Sequence, residues 1–380
     1  MIYLDNAATT YPKPKAVYDN VMKAMKKYGA NPGRGSHAMA MEGAKIIYET
    51  RELLAEMFNL EDPLRVIFTF NATESLNIVI KGVLRSGDHV ITTSMEHNSV
   101  LRPIYELQKI GVESTIVSCD KEGKVKVEDI ENAIKDNTKL VVTTHVSNLS
   151  GTIFPIEEIG SVCKKHNLLY LVDASQSAGV LEIDVQKYNI DFLAMPGHKG
   201  LLGPQGTGVL LINSDAEINH FKEGGTGSES SNLSQPNFYP DKLEAGTHNL
   251  PGIAGLNFGI KYIKSRGLKS IYSHEKKLLD AFIEEMKKNS KIAIYGPSNI
   301  SYRSGVVPIN IINVDSSEVS YLLDTNYNIA VRSGLHCAPL AHKTLGTEKL
   351  GAVRFSVGPF NTKVDVMSAV KALNEISLTE

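Results

Sequence analysis

Leu168-Leu169-Tyr170-Leu171-Val172 is an unbroken apolar run that ends in Asp173. A short run of this kind, rich in β-formers, fits a strand buried on both faces of a sheet. Similar runs lie at Arg65–Phe70, His89–Thr93, Ser114–Val117, Leu140–His145, Asp191–Met195 and Gly208–Ile212. Between several of them the apolar positions recur at helical spacing, at Thr73–Leu84, Ser99–Lys109, Val127–Lys135 and Ile156–His166. Strand and helix in alternation predict an α/β fold with a mainly parallel sheet covered by helices on both faces.

The pattern differs on either side of that block. Upstream, His37–Phe58 reads as one long helix. Residues 213–250 are rich in Gly, Ser and Asn, with Pro236 and Pro240, and predict a long functional loop. From about residue 258 a Lys- and Glu-rich helix, Leu268–Asn289, precedes short strands at Val306–Ile312 and Ala352–Val357. Asn361 is then the expected cap of a final helix, Thr362–Ile376. This C-terminal part predicts a smaller α+β domain. No internal repeat or low-complexity segment is evident.

Composition narrows the function classes. With 380 residues, 42% apolar and 22% charged, the chain has the make-up of an ordinary globular protein large enough for more than one domain. A formal net charge of −2, with no long basic stretch, disfavours nucleic acid and anionic membrane as partners. No apolar run is long enough to span a bilayer. The opening, Met1-Ile2-Tyr3-Leu4-Asp5-Asn6, lacks the basic and apolar zones of a signal peptide, so a cytoplasmic location is expected. Cys119, Cys163 and Cys337 are odd in number and widely spaced, which speaks against a disulfide framework or a Cys-rich zinc site.

Candidate chemistry collects at strand ends. Lys199, in Met195-Pro196-Gly197-His198-Lys199-Gly200, follows a strand and is surrounded by glycines that let backbone approach closely. A lysine so delivered can form a Schiff base with a carbonyl cofactor, although a solvated lysine beside a glycine turn is the plainer reading. Asp173, at the end of a buried strand, faces the crevice where α/β sheets bind ligands and needs a cationic partner. Asn71-Ala72-Thr73-Glu74 is a helix start whose N–H groups, with the Thr73 hydroxyl, suit a phosphate or merely cap the helix. His97 and Asn148 follow two further strands.

Arg332-Ser333-Gly334-Leu335-His336-Cys337 places a thiol beside two basic side chains, which can raise its thiolate fraction. A zinc site from His336, Cys337 and His342 lacks a second thiolate and is disfavoured. Arg354, inside an apolar strand, requires an anion, either a substrate carboxylate or an internal acid.

Taken together, these segments resemble the fold-type I pyridoxal-phosphate enzymes of aminotransferase class V. Within them the chain is most similar to the group II, SufS-type cysteine desulfurases and selenocysteine lyases. The resemblance rests on Tyr3-Leu4-Asp5-Asn6-Ala7-Ala8-Thr9, Ala72-Thr73-Glu74-Ser75, Glu96-His97-Asn98, Val172-Asp173-Ala174-Ser175-Gln176, Gly197-His198-Lys199 and Arg332-Ser333-Gly334-Leu335-His336-Cys337. It implies a seven-stranded, mainly parallel sheet in a large cofactor domain at residues 15–257. An N-terminal arm at 1–14 and a small C-terminal domain at 258–380 complete the implied layout.

The resemblance also implies roles. Pyridoxal 5′-phosphate is bound as a Schiff base to Lys199. Asp173 pairs with the pyridine nitrogen, Gln176 with the ring oxygen, and His97 stacks on the ring. Thr73 and His198 hold the phosphate, and Ala72 belongs to the cofactor-binding set. Thr247 reaches the phosphate of a partner subunit, which implies a homodimer. Asn148 and Arg354 hold the substrate carboxylate, and Arg34 and Arg332 border the substrate. Cys337 takes sulfur from L-cysteine as a persulfide, leaving alanine, and passes it to an acceptor thiol or protein, as in iron–sulfur cluster assembly. No metal is implied. The same scaffold also carries selenocysteine or cystine lyases and aminotransferases, and a non-catalytic sulfur-trafficking role is the reading from another class. Pro196, Gly33 and His248 depart from residues usual in the family.

Overall fold

A computed structural model describes residues 1–32, 35 and 37–379 of the chain, with nothing stated of the Thr379 side chain. The expectations placed on Gly33 and Arg34 therefore lie outside the described residues.

The chain opens with β1 (Ile2–Tyr3), α1 (Lys15–Lys27) and α2 (Ala38–Phe58). The alternating block follows: β2 (Val66–Thr69), α3 (Ala72–Val83), β3 (His89–Thr93), α4 (Asn98–Gln108), β4 (Glu113–Val117) and α5 (Val127–Asn132). It continues as β5 (Thr138–Thr144), α6 (Ile156–Lys165), β6 (Leu169–Asp173), β7 (Phe192–Pro196) and β8 (Gly208–Ile212). After the long connection come α7 (Leu250–Arg266), α8 (Leu268–Met286), β9 (Ile292–Ile294) and β10 (Val306–Ile311). The chain ends with α9 (Ser316–Tyr327), β11 (Ile329–Ala330), α10 (Pro339–Leu345), β12 (Val353–Ser356) and α11 (Lys363–Thr379).

Seven strands form the central sheet in the order β2-β8-β7-β6-β5-β3-β4. β3, β4, β5, β6 and β7 pair in parallel, whereas β8 runs antiparallel to both β2 and β7. Alternation explains how it is buried twice. Ile91, Val141, Tyr170, Val172, Leu193 and Leu211 join a core with α2, α6 and α7. Their neighbours Val90, Leu140, Val142, Leu171, Phe192 and Leu210 join another with α3 and α4. β3 is flanked by β4 on one side and β5 on the other, so the order reverses there, and ligand crevices in such sheets open at that place. A third core gathers α8, α9, α11 and the sheet β12-β10-β9, and Leu4 packs into it from the N-terminal segment.

Some helices differ from expectation. α3 begins one residue before the expected start at Thr73, because Asn71 caps it: Asn71 Oδ1 accepts from Glu74 N–H at 3.0 Å. Asn361 is not a cap. Its side chain is spent on Asn6 (3.0 Å), Tyr3 O (2.9 Å) and Gly358 N–H (2.9 Å). Thr362 caps α11 instead, in a reciprocal pair with Asp365, whose carboxylate accepts from Thr362 N–H at 2.7 Å. α1, α7, α9 and α10 were not expected, and the boundary expected after residue 257 falls inside α7. Among the described residues no helix is long and apolar enough to cross a membrane.

Candidate active site

A cleft of about 100 Å³ opens at the C-terminal ends of the parallel strands. Its walls include Ala72, Thr73, His97, Asn148, Asp173, Gln176, His198 and Lys199. These eight, proposed from five separate strand ends and helix starts, are brought together by the sheet. Arg332, Arg354 and Cys337 are not among its lining residues, and Thr247 lines a different cleft with Phe70, Glu74 and His248.

Lys199 reaches the cleft from a turn that leaves β7 and packs tightly. A Cβ on Gly197 would come within 2.2 Å of Thr207 Oγ1, and one on Gly200 within 2.3 Å of Ala178 O. Only glycine fits such approaches. Burial lowers the Lys199 amine to about 8, partly offset by the Asp173 carboxylate. Asp173 is 3% exposed and accepts from Ser175 N–H at 2.9 Å. Gln176 donates to Ala7 O at 3.0 Å, which joins the N-terminal segment to the cleft wall.

A short hydroxyl chain ties two cleft residues together. Thr73 Oγ1 lies 2.7 Å from Ser99 Oγ, which lies 2.9 Å from His97 Nδ1. Because Nδ1 also accepts from Ser99 N–H at 3.1 Å, neutral His97 carries its proton on Nε2. Burial holds that imidazole at about 4, against the raising effect of Asp173. His198 is likewise pushed down to about 4, by burial and then by Lys199 and Lys13. Its carbonyl accepts from Lys13 Nζ at 2.6 Å, but its buried Nδ1 has no partner among the described residues. Pro196, at the end of β7, offers the cleft no hydroxyl.

Arg354 answers the choice left by its sequence. It is 1% exposed, and its Nη2 is paired with an internal acid, Asp5, at 2.8 Å. Nη1 donates to Asn148 O at 3.0 Å, while the buried Nε has no partner among the described residues. Asp5, Ser99 and Lys13 were not singled out. The signal for Asp5 was an acid directly after the apolar run Ile2-Tyr3-Leu4; the other two are ordinary polar residues whose neighbours only the fold supplies.

Cys337 is exposed, and Arg332 Nη2 stands 3.8 Å from its Sγ. The companion expectation for His336 is corrected. His336 is 2% exposed and turns away from the thiol, with Nε2 at 3.1 Å from Arg332 O and Nδ1 at 3.3 Å from His342 Nε2. Burial drives it down to about 3, so it is neutral and lends the thiol no charge. His336 and Cys337 have φ of 51° and 56°. Two consecutive left-handed non-glycine residues cost about 1–2 kcal/mol each. No group of three or more acidic, His or Cys side chains able to hold a metal occurs among the described residues.

A lysine, an aspartate and a helix N-terminus around one crevice define a site of the kind that α/β carbonyl-cofactor enzymes use. The chain belongs to the aminotransferase class V family, whose sequence pattern matches residues 2–368. It is 37% identical to a probable cysteine desulfurase of Methanothermobacter thermautotrophicus, covering 99% of this chain and 94% of that protein. It superimposes on the apo structure of a cysteine desulfurase from Thermococcus onnurineus with a TM-score of 0.94, at 36% identity, covering 100% of this chain and 95% of the other. A structure of the Escherichia coli cysteine desulfurase CsdA in an S-sulfonic acid form matches with a TM-score of 0.89 at 27% identity, covering 100% and 94%.

Proposed function

We propose that this protein is a pyridoxal-phosphate-dependent cysteine desulfurase of the group II, SufS type, which converts L-cysteine to L-alanine and carries the sulfur on Cys337. The observation that carries this reading is the coexistence of a cleft lysine with a lowered amine and an exposed cysteine beside an arginine. Names borne by similar proteins support it.

The residues fit the cofactor. Its phosphate would lie against the α3 N-terminus, at Ala72 and Thr73, where N–H groups and the hydroxyl suit an anion. The unpartnered Nδ1 of His198 suits another of its polar atoms. Asp173 would face the pyridine nitrogen, Gln176 the ring oxygen and His97 the ring face. Lys199 would anchor the aldehyde. When bound, pyridoxal phosphate supplies a carbonyl that captures amines and a ring that takes up the electron pair left by proton loss.

The protein's own groups do the rest. Asn148, on the cleft wall, would fix the substrate carboxylate and so orient the Cα–H bond, and Arg354 would join it by turning its guanidinium from Asp5 into the cleft. Lys199, once released, takes the Cα proton. The Cys337 thiolate attacks the substrate sulfur, so that an S–S bond forms as the Cβ–S bond breaks and its electron pair stays with the carbon skeleton. Protonation at carbon then yields alanine. An acceptor thiol removes the terminal sulfur and regenerates Cys337. Arg332 would steady the thiolate.

Product analysis tests the reading. With L-cysteine and a reductant, alanine and sulfide should appear in equal amounts, and Cys337→Ala should lose about 100-fold or more in rate. A keto acid formed with an amino acceptor would instead point to transamination.

A further inference from the structure

We infer that His342, acting through His336, is a positioning residue that holds the Cys337 loop in its reactive conformation. This inference rests on the reading of Cys337 as the sulfur nucleophile.

The loop is strained and yet held at many points. Left-handed backbone at His336 and Cys337 persists only where the surroundings fix it. Here each strained residue has its carbonyl tied to a different element. His336 O accepts from Asn148 Nδ2 at 2.8 Å, and Cys337 O accepts from the Asn98 N–H at 2.8 Å. Asn148 lines the cleft, and Asn98 follows His97 at the start of α4. The thiol is thus indexed to the cleft through two hydrogen bonds.

The side chain of His336 supplies the third tie, and its direction can be worked out. Nε2 faces the Arg332 carbonyl, which only accepts, so Nε2 carries the proton. Nδ1 must then accept, and the His342 Nε2–H, 3.3 Å away, donates to it. His342 Nδ1 in turn accepts from the Thr347 hydroxyl at 2.7 Å. The two rings lie nearly parallel, 9° apart, and both are buried. A one-way chain therefore runs from Thr347 through His342 and His336 to the backbone of Arg332. That residue carries the guanidinium beside Sγ, and its N–H and C=O bridge to Arg354. Neither imidazole ring lines the cleft. They act by keeping the loop in register.

The tests use His342→Phe, which fills the space without a donor, and His342→Gln, whose amide can still donate towards His336 Nδ1. The first readout is hydrogen exchange at the Asn98 amide in the purified protein, which reports the docked loop directly. His342→Phe should speed that exchange at least about tenfold, and His342→Gln should restore much of the protection. The second readout separates two steps in the cofactor-loaded enzyme. Cα-hydrogen exchange of L-alanine needs Lys199 but no sulfur transfer, and should stay within about twofold of wild type. Persulfide formation on Cys337 should fall about 100-fold in His342→Phe, the scale that a misplacement of about 1 Å produces. Unchanged Asn98 protection, or equal losses in both steps, would overturn the inference. Cys337→Ala keeps the two ring contacts; full cysteine-to-alanine turnover by that variant would refute the reading of Cys337 as the sulfur nucleophile and leave the loop measurement standing.

Discussion

At the residue scale, Lys199 shows how burial and one neighbour set a reactive amine. Desolvation disfavours its ammonium form and lowers it to about 8, while the Asp173 carboxylate pulls the other way. In the cofactor-free protein, acylation of Lys199 should rise through a midpoint near pH 8, well below the ordinary lysine value of about 10.4. Asp173→Asn removes the group that favours the charged form, so the midpoint should move lower still. A shift upward, or a midpoint at the ordinary lysine value, would contradict the account; quantitative mass spectrometry of the acylated peptide reads it. Lys199, Asp173, Thr73 and His97 were legible in the sequence because each ends or begins an apolar or amphipathic run. The direction of His336 was not legible. Its position beside Cys337 suggested a charge on the thiol, but the left-handed backbone at both residues turns the imidazole into the core.

At the scale of elements, the strands of the central sheet were readable, whereas β1, β9, β11 and several helices were not. β6, β7 and the Leu140–Thr144 part of β5 are buried on both faces, and their short length and β-formers favour a strand over a helix. α7 was obscured because Gly252, Gly255 and Gly259 break its helical pattern; each glycine lets a neighbour approach, Leu201 O lying 2.4 Å from where a Cβ of Gly259 would be. One connection between elements also hides an ion pair. Arg51 on α2 meets Glu244, before α7, at 2.8 and 2.5 Å, and Glu244 also accepts from Phe68 N–H at 2.6 Å. His248 stands 3.2 Å from the same carboxylate. Both partners of the Arg51–Glu244 pair are almost fully buried. Glu244→Ala leaves the guanidinium uncompensated and should cost about 3–5 kcal/mol of stability in denaturant unfolding. A loss under about 1 kcal/mol would show that water replaces the carboxylate.

At the scale of the whole molecule, the cleft wall, drawn from residues 71–199, is braced by the N-terminal segment and the C-terminal region. Asp5 pairs with Arg354 of β12, and Ala7 accepts from Gln176. Thr247 does not join them; it is exposed and lines another cleft beside Phe70 and Glu74. The family resemblance implies that Thr247 serves a second copy of the chain, and we propose that role for test. Sedimentation should give twice the 41.5 kDa chain mass, and Thr247→Ala should loosen cofactor retention without altering Lys199. If mixed dimers of Lys199→Ala and Thr247→Ala chains retain cofactor no better than the Thr247→Ala homodimer, the partner contact is wrong. Pairing between copies could not be read from one chain's periodicity, because nothing in a single sequence marks which exposed loop meets which cleft.

The central claim is that Lys199 and Cys337 act in sequence on L-cysteine. Its most direct measurement is the mass of the cofactor-loaded protein after one turnover without reductant, read together with alanine release. The account predicts one added sulfur atom on Cys337 for each alanine formed, and neither product with Lys199→Ala. Alanine formed at the wild-type rate by Cys337→Ala, or added sulfur found on Cys119 or Cys163 instead, would contradict it.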